Sequence, residues 1–288
     1  FNIINTALLI NFVPAIARTV EKMVPAVVDK KLIIEEPHYL DKSSLKYPQT
    51  GIKALLDESL RLLEKTVYKV VTHGLRVHRH EIDSDEDIKQ VLQHIHDIEL
   101  DVDTIYYNKF KNIYSQIVEY ATKLQGRFEL NEEKITIIRN ILRADRLMVE
   151  MVKDIKPLHE NMSRFLNSDN PYIREEYNNL RRMILKILRL TREAREGHLD
   201  EEYIQRAREL RDRVENHDVL MNGTIDRLVR DHLISNRMAT SLMNDSAIAI
   251  HISNKLIDVS SLLYLQRDLF HDGEDLAELQ DADAREAA

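Results

Sequence analysis

NEEKITIIRNILRADRLMVEMVKDIKPLHENM, residues 131–162, reads as one long amphipathic helix. Ile135, Ile138, Ile141, Leu142, Met148, Met151, Val152, Ile155 and Met162 recur at helical spacing and form one apolar stripe. Asn131 stands just before it, where a side-chain oxygen can satisfy an otherwise unpaired N–H of the first turn. Pro157 is expected to kink or interrupt the helix, because its ring removes a donor and clashes one turn back.

The same pattern extends on both sides. Upstream, Leu55, Leu62, Leu63, Val67, Val70 and Val71 predict a helix over 52–77. Ile88, Val91, Ile95, Ile98, Val102, Ile105, Ile113, Ile117 and Leu124 predict a second over 88–124, with Ser84 as a cap and Gly126 as the stop. Downstream, Asn170-Pro171 is a start signal, and the fourth helix runs to Glu196 before Gly197. A fifth begins near Asp200 and carries Ile204, Ala207, Leu210, Val214, Met221, Ile225 and Leu228 inward. A sixth runs from near Ser235 to near Phe270. Short connections force neighbours antiparallel. The expectation is all-α: two consecutive antiparallel three-helix bundles, over 51–168 and 169–270, followed by an acidic tail at 271–288 that is frayed or disordered.

Composition agrees. Gly and Pro number six each in 288 residues, while charged residues reach 31%. The net charge of −8 supplies no overall positive field, so nucleic acid is not an expected partner. With no Cys, disulfides and thiol chemistry are excluded.

The opening run FNIINTALLINFVPAIARTVEKMVP, residues 1–25, has no charge before Arg18. It lacks the basic leading region of a signal peptide. Two readings remain: an amphipathic core helix, or the exit half of a membrane span over 1–24. Arg18, Lys22, Lys30 and Lys31 follow closely, as basic residues do on the cytoplasmic side of a span. Pro25, Pro37 and Pro48 then mark 25–50 as a linker with a short extended piece over 31–35.

Two carboxylate pairs are candidate metal ligands. Glu99 and Asp103 are four apart, as are Glu150 and Asp154, so each pair shares a helix face. If the second and third helices are antiparallel neighbours, the pairs can converge, and a divalent cation would relieve their repulsion. Oxygen donors suit Mg²⁺, Mn²⁺, Ca²⁺ or Fe. The alternative is solvated acids paired with Lys and Arg. His78, His80, His94 and His96 cluster near the first turn; HxH suits metal only in an extended segment, since helical residues two apart diverge. The basic run from Arg181-Arg182 to Arg192 reads as a solvated face, with docking against a membrane surface as the alternative. HExxH, a glycine-rich phosphate loop and GxSxG are all missing, and the expectation is that the chain is not an enzyme.

Several motifs carry a resemblance. Phe1-Asn2, Asn5-Thr6, Val13-Pro14, Ala17-Arg18 and Val24-Pro25 resemble the last transmembrane helix of bacterial sodium/phosphate cotransporters. Glu36-Pro37-His38-Tyr39-Leu40-Asp41 is similar to the linker that follows it there, and Ser241-Leu242-Met243-Asn244-Asp245-Ser246 looks like a motif in the final helix of the cytosolic tail. The resemblance implies a PhoU-like tail of three-helix bundles. It also implies a metal site in the first bundle at Glu99, Asp103, Glu150 and Asp154; the acid pair of the second bundle is missing around Asn244, with only Asp245 near.

The resemblance further implies function. Sodium and phosphate would bind membrane segments outside this sequence, and the tail would bias transport instead of catalysing a reaction. Implied partners are a transporter domain of the same chain and the lipid bilayer, with a homodimer as a further candidate. The implied location is the cell inner membrane, with residues after about 25 on the cytoplasmic side. The rival reading is a free-standing helical adaptor or metal-binding bundle protein of phosphate signalling.

Overall fold

The computed structural model describes Phe12 and residues 35–286. Contacts divide the chain into Phe1–Ile34 and Glu35–Ala288, and the architecture below is that of the second. All regular structure among its described residues is helical. The predicted span over 1–24 lies outside the described residues apart from Phe12, as does most of the extended piece at 31–35. Among the described residues, no helix is long and apolar enough to cross a membrane.

Pro48 opens α1 (Pro48–Leu62) from the first helical position, where its missing N–H costs nothing. The π-helical turn Leu63–Val67 and α2 (Tyr68–Gly74) continue it as one rod. Two single turns follow, α3 (Arg79–Ile82) and α4 (Ile88–Val91). Next come α5 (Val102–Ile105), a second π-helical turn Tyr106–Phe110, and α6 (Lys111–Arg127). α7 (Glu132–Phe165) passes through Pro157 without a break, so the expected interruption does not occur. Its cap is Asn131, whose Oδ1 accepts the Lys134 N–H at 3.0 Å.

Asn170 caps α8 (Pro171–Arg195) by accepting the N–H groups of Tyr172 and Ile173 at 2.9 and 3.2 Å. Gly197, with φ +88°, ends it in the left-handed conformation glycine tolerates. α9 (Glu201–Glu215), α10 (Thr224–Arg230) and α11 (Asn236–Glu286) complete the chain.

Three boundaries differ from expectation, each for a physical reason. The helix predicted over 88–124 is broken from 92 to 101, where two arginines, Arg181 and Arg76, take carbonyls that a helix would use. Arg181 donates to the Leu92 and His94 carbonyls, and Arg76 to that of His96. The helix restarts where Asp101 caps it through the Thr104 N–H (2.9 Å), and Ile95, predicted inward, is exposed. Ser84 caps nothing; Asp87 caps α4 through the Lys89 N–H.

The fifth helix splits into α9 and α10. Asp218 Oδ1 accepts the Leu220 N–H, and Gly223 turns left-handed at φ +78°. Met221, predicted inward, is 80% exposed. At the end, α11 continues past Phe270 to Glu286: Gly273 stands alone there among Glu, Leu, Ala and Arg, which favour helix.

α1, α6 and α7 touch one another pairwise, and so do α8, α9 and α11. The most extensive contact joins α7 to α11, and it gathers the predicted halves 51–168 and 169–270 into one unit. Along α7 the stripe residues Ile138, Ile141, Met148, Met151, Val152, Ile155 and Met162 are buried, as predicted.

Candidate functional site

The four predicted acids do not meet. Glu99 lies exposed in the irregular stretch before α5. Asp103 Oδ2 is 2.5 Å from Lys156 Nζ, an exposed ion pair between α5 and α7. Glu150 and Asp154 do share a face of α7, but it is turned toward α11, where Lys255 Nζ lies 3.3 Å from Glu150 Oε2 and 2.7 Å from Asp154 Oδ2. An ammonium thus stands where a divalent ion was expected. Among the described residues, no three His, Cys, Asp or Glu side chains are grouped to hold a metal ion. Glu150 and Asp154 remain the pair that could contribute to one, with Lys255 as competitor.

The polar chemistry of the fold lies elsewhere, in three buried places. The first is Arg181 of α8, fully buried although its sequence context reads as a solvated face. Its Nε donates to the Leu75 carbonyl (3.0 Å), Nη1 to that of Leu92 (3.2 Å) and Nη2 to that of His94 (3.0 Å). Asn178 Oδ1 accepts a further bond at 2.9 Å. Burial pushes the guanidinium down to about 10, with Glu81 opposing. Among the described residues no carboxylate bonds to it directly; oriented backbone dipoles stabilise the charge.

Beside it lies the histidine cluster. Because 92–101 is not helical, His94 and His96 both reach Glu81: His94 Nδ1 at 3.8 Å and His96 Nε2 at 2.9 Å from its Oε1. The His78 N–H donates to Glu81 Oε2 at 2.7 Å, and the His78 and His96 rings are 4.4 Å apart. Burial would raise the Glu81 carboxyl, but His96 and the His78 N–H hold it below its ordinary value.

The second place is Asp145 on α7, fully buried under α1. Ser59 Oγ donates to its Oδ2 at 3.0 Å, while Oδ1 has no partner. Burial drives its pKa up to about 8, against the Ser59 bond. Glu58, also fully buried, faces the other way. Its Oε2 accepts the N–H groups of His38 and Tyr39, and its Oε1 is 2.6 Å from Arg61.

The third is Asp245 of α11. Tyr177 Oη donates to its Oδ2 at 2.5 Å, and burial raises its pKa to about 6. The adjacent Ser246 Oγ accepts the Val219 N–H and donates to the His217 carbonyl. The Ser241–Ser246 motif therefore ties α11 to α8 and to the α9–α10 connection.

Sequence spacing could not find these groups, since Arg181 and Asp145 sit among many charged residues of similar spacing. The usable signal is position: both fall on the apolar faces of their own helices. Searches against family models, curated proteins and solved structures return no match to this chain.

Proposed function

We propose that the chain is the PhoU-like regulatory region of a sodium-dependent phosphate transporter, two three-helix bundles following the end of a membrane span. In this reading Glu35–Ala288 lies on the cytoplasmic side of the inner membrane and biases transport through contacts that differ between two transporter states. A transporter domain of the same chain and the bilayer are its partners. It performs no catalysis, and a divalent ion at Glu150 and Asp154 is an accessory feature of the same proposal.

The observation that carries the reading is the grouping of helices in chain order: α1, α6 and α7 touch pairwise, then α8, α9 and α11. The resembling motif at residues 241–246 supports it, because Asp245 and Ser246 bind neighbouring elements inside the second group. The test is fractionation of cells expressing the complete reading frame that encodes this chain. Recovery in the membrane fraction, resistant to alkaline carbonate, is expected. Recovery in the supernatant would favour the free-standing adaptor.

A further inference from the structure

Two π-helical turns flank one cleft. π turns are rare and concentrate at functional sites, because the extra residue re-aims the side chains around it. Leu63–Val67 contributes Lys65 and Thr66, and Tyr106–Phe110 contributes Lys109. The cleft between them has a volume of about 390 Å³ and is further lined by His38, Tyr39, Arg61 and Lys69.

One wall is the segment that leads into α1, and it is lashed down at several points. The Glu35 N–H donates to the Asn108 carbonyl at 3.2 Å, and Asn112 Nδ2 donates to the Glu35 carbonyl at 2.9 Å. The His38 and Tyr39 N–H groups are held by Glu58 Oε2 at 2.7 and 2.9 Å. The cleft is therefore preformed, with ordered backbone on all three sides.

Its charge is one-sided in a chain that is acidic overall. Arg61, Lys65, Lys69 and Lys109 line it, against one carboxylate, Glu35, among the described residues. Glu35 spans Arg61 (2.7 Å) and Lys109 (3.5 Å), and buried Glu58 holds the other side of Arg61. Lys65 and Lys69 are exposed and pair with no carboxylate among the described residues. Two cations four residues apart repel each other, and among the described residues neither forms an ion pair with a carboxylate. A multivalent anion would offset the repulsion.

The cleft volume falls within the range of about 300–1,000 Å³ usual for small-molecule sites. Inorganic phosphate alone cannot span it. Tyr39, 45% exposed at the rim, offers an aromatic face to the rest of a larger ligand.

We propose that this cleft binds a small soluble molecule carrying a phosphate or pyrophosphate group, with Lys65, Lys69 and Lys109 on the phosphoryl oxygens and Arg61 as the fixed donor behind them. The site is built wholly from residues of Glu35–Ala288, so it stands whether or not the chain regulates a transporter. A phospholipid headgroup presents the same chemistry, but a concave cleft walled on three sides favours the soluble source.

Calorimetric titration of the full chain with pyrophosphate, ATP and inorganic phosphate tests this. Pyrophosphate or ATP is expected to bind more tightly than phosphate. The Lys65→Gln/Lys69→Gln double variant should weaken that binding by at least about ten-fold, and Lys109→Gln should weaken it separately. Lys123→Gln, an exposed lysine of α6 paired with Glu119 away from the cleft, should leave it unchanged. All these lysines are exposed, so the variants should melt like the parent. Three results would overturn the proposal: no binding of any probe at millimolar concentration, unchanged affinity in the double variant, or capture only by phosphatidylglycerol vesicles.

Discussion

Lys255 Nζ stands 2.7 Å from Asp154 Oδ2, so α11 supplies the charge that the α7 acid pair needs. The same ammonium reaches Glu150 at 3.3 Å. Replacing it with a neutral residue leaves two carboxylates one turn apart with no counter-charge. The Lys255→Met variant should lose about 0.5–1 kcal/mol, a modest value because all three groups are partly exposed. Millimolar Mn²⁺ should restore the lost stability in the variant and do less for the parent. Thermal melts with and without Mn²⁺ read this directly, and equal responses would remove Glu150 and Asp154 as metal ligands.

Arg181 should be far more costly to replace. Arg181→Met strips the Leu75, Leu92 and His94 carbonyls of their donor and leaves the first two buried without one. A loss of about 3 kcal/mol or more is expected, the scale for breaking a buried charged network. Lysine should not rescue it, since a single ammonium cannot reproduce the guanidinium fork. Hydrogen exchange should show residues 92–98 opening first. Unchanged protection there would mean that the irregular segment is held by something else.

Asp145 gives a stability that depends on pH in a calculable direction. Its folded pKa is raised to about 8 from an ordinary carboxylate value, so the folded state binds the proton more tightly than the unfolded chain. The stabilisation is complete below the unfolded value and declines as pH rises through the window up to about 8. The slope is about 1.4 kcal/mol per pH unit within that window. Asp145→Asn keeps the shape and removes the titration. The variant should be similar to the parent at pH 4 and progressively more stable than it toward pH 8. Parallel stability–pH curves for the two proteins would contradict the burial of this carboxyl.

Two glycines distinguish packing from helix propensity. A Cβ at Gly74 would collide with Ile155 Cγ1, on a β-branched side chain buried in α7. One at Gly51 would lie 2.5 Å from Leu124 Cδ1, the movable end of a leucine. Alanine gains up to about 1 kcal/mol over glycine within a helix. Gly74→Ala should still destabilise, by about 1–3 kcal/mol of overpacking, whereas Gly51→Ala should lie near neutral. Chemical denaturation of both variants decides; equal effects would mean that α2 does not press on α7 at Gly74.

The sequence is a good guide where one helix buries one clean stripe. Asn131, Asn170 and Gly197 mark real ends, because capping is decided by residues a few positions apart. It misleads where a distant side chain intervenes. The stripe from Ile88 to Ile105 has helical spacing, yet Arg181, some ninety residues away, claims the carbonyls and the segment unwinds. The acid pairs fail similarly. Spacing puts Glu150 and Asp154 on one face but cannot reveal that Lys255 will meet them. Both π turns were invisible, since no local signal distinguishes Leu63–Val67 from the α-helix around it. The cationic cleft was hidden with them.

The most direct measurement is sodium-driven uptake of labelled phosphate into membrane vesicles from cells expressing the complete reading frame. It should be compared with a version ending at residue 50. Uptake should require a sodium gradient in both, with the truncated form altered in its rate or its response to phosphate supply. Absence of sodium-dependent uptake from the complete frame, or identical uptake with and without residues 51–288, would contradict the proposed function.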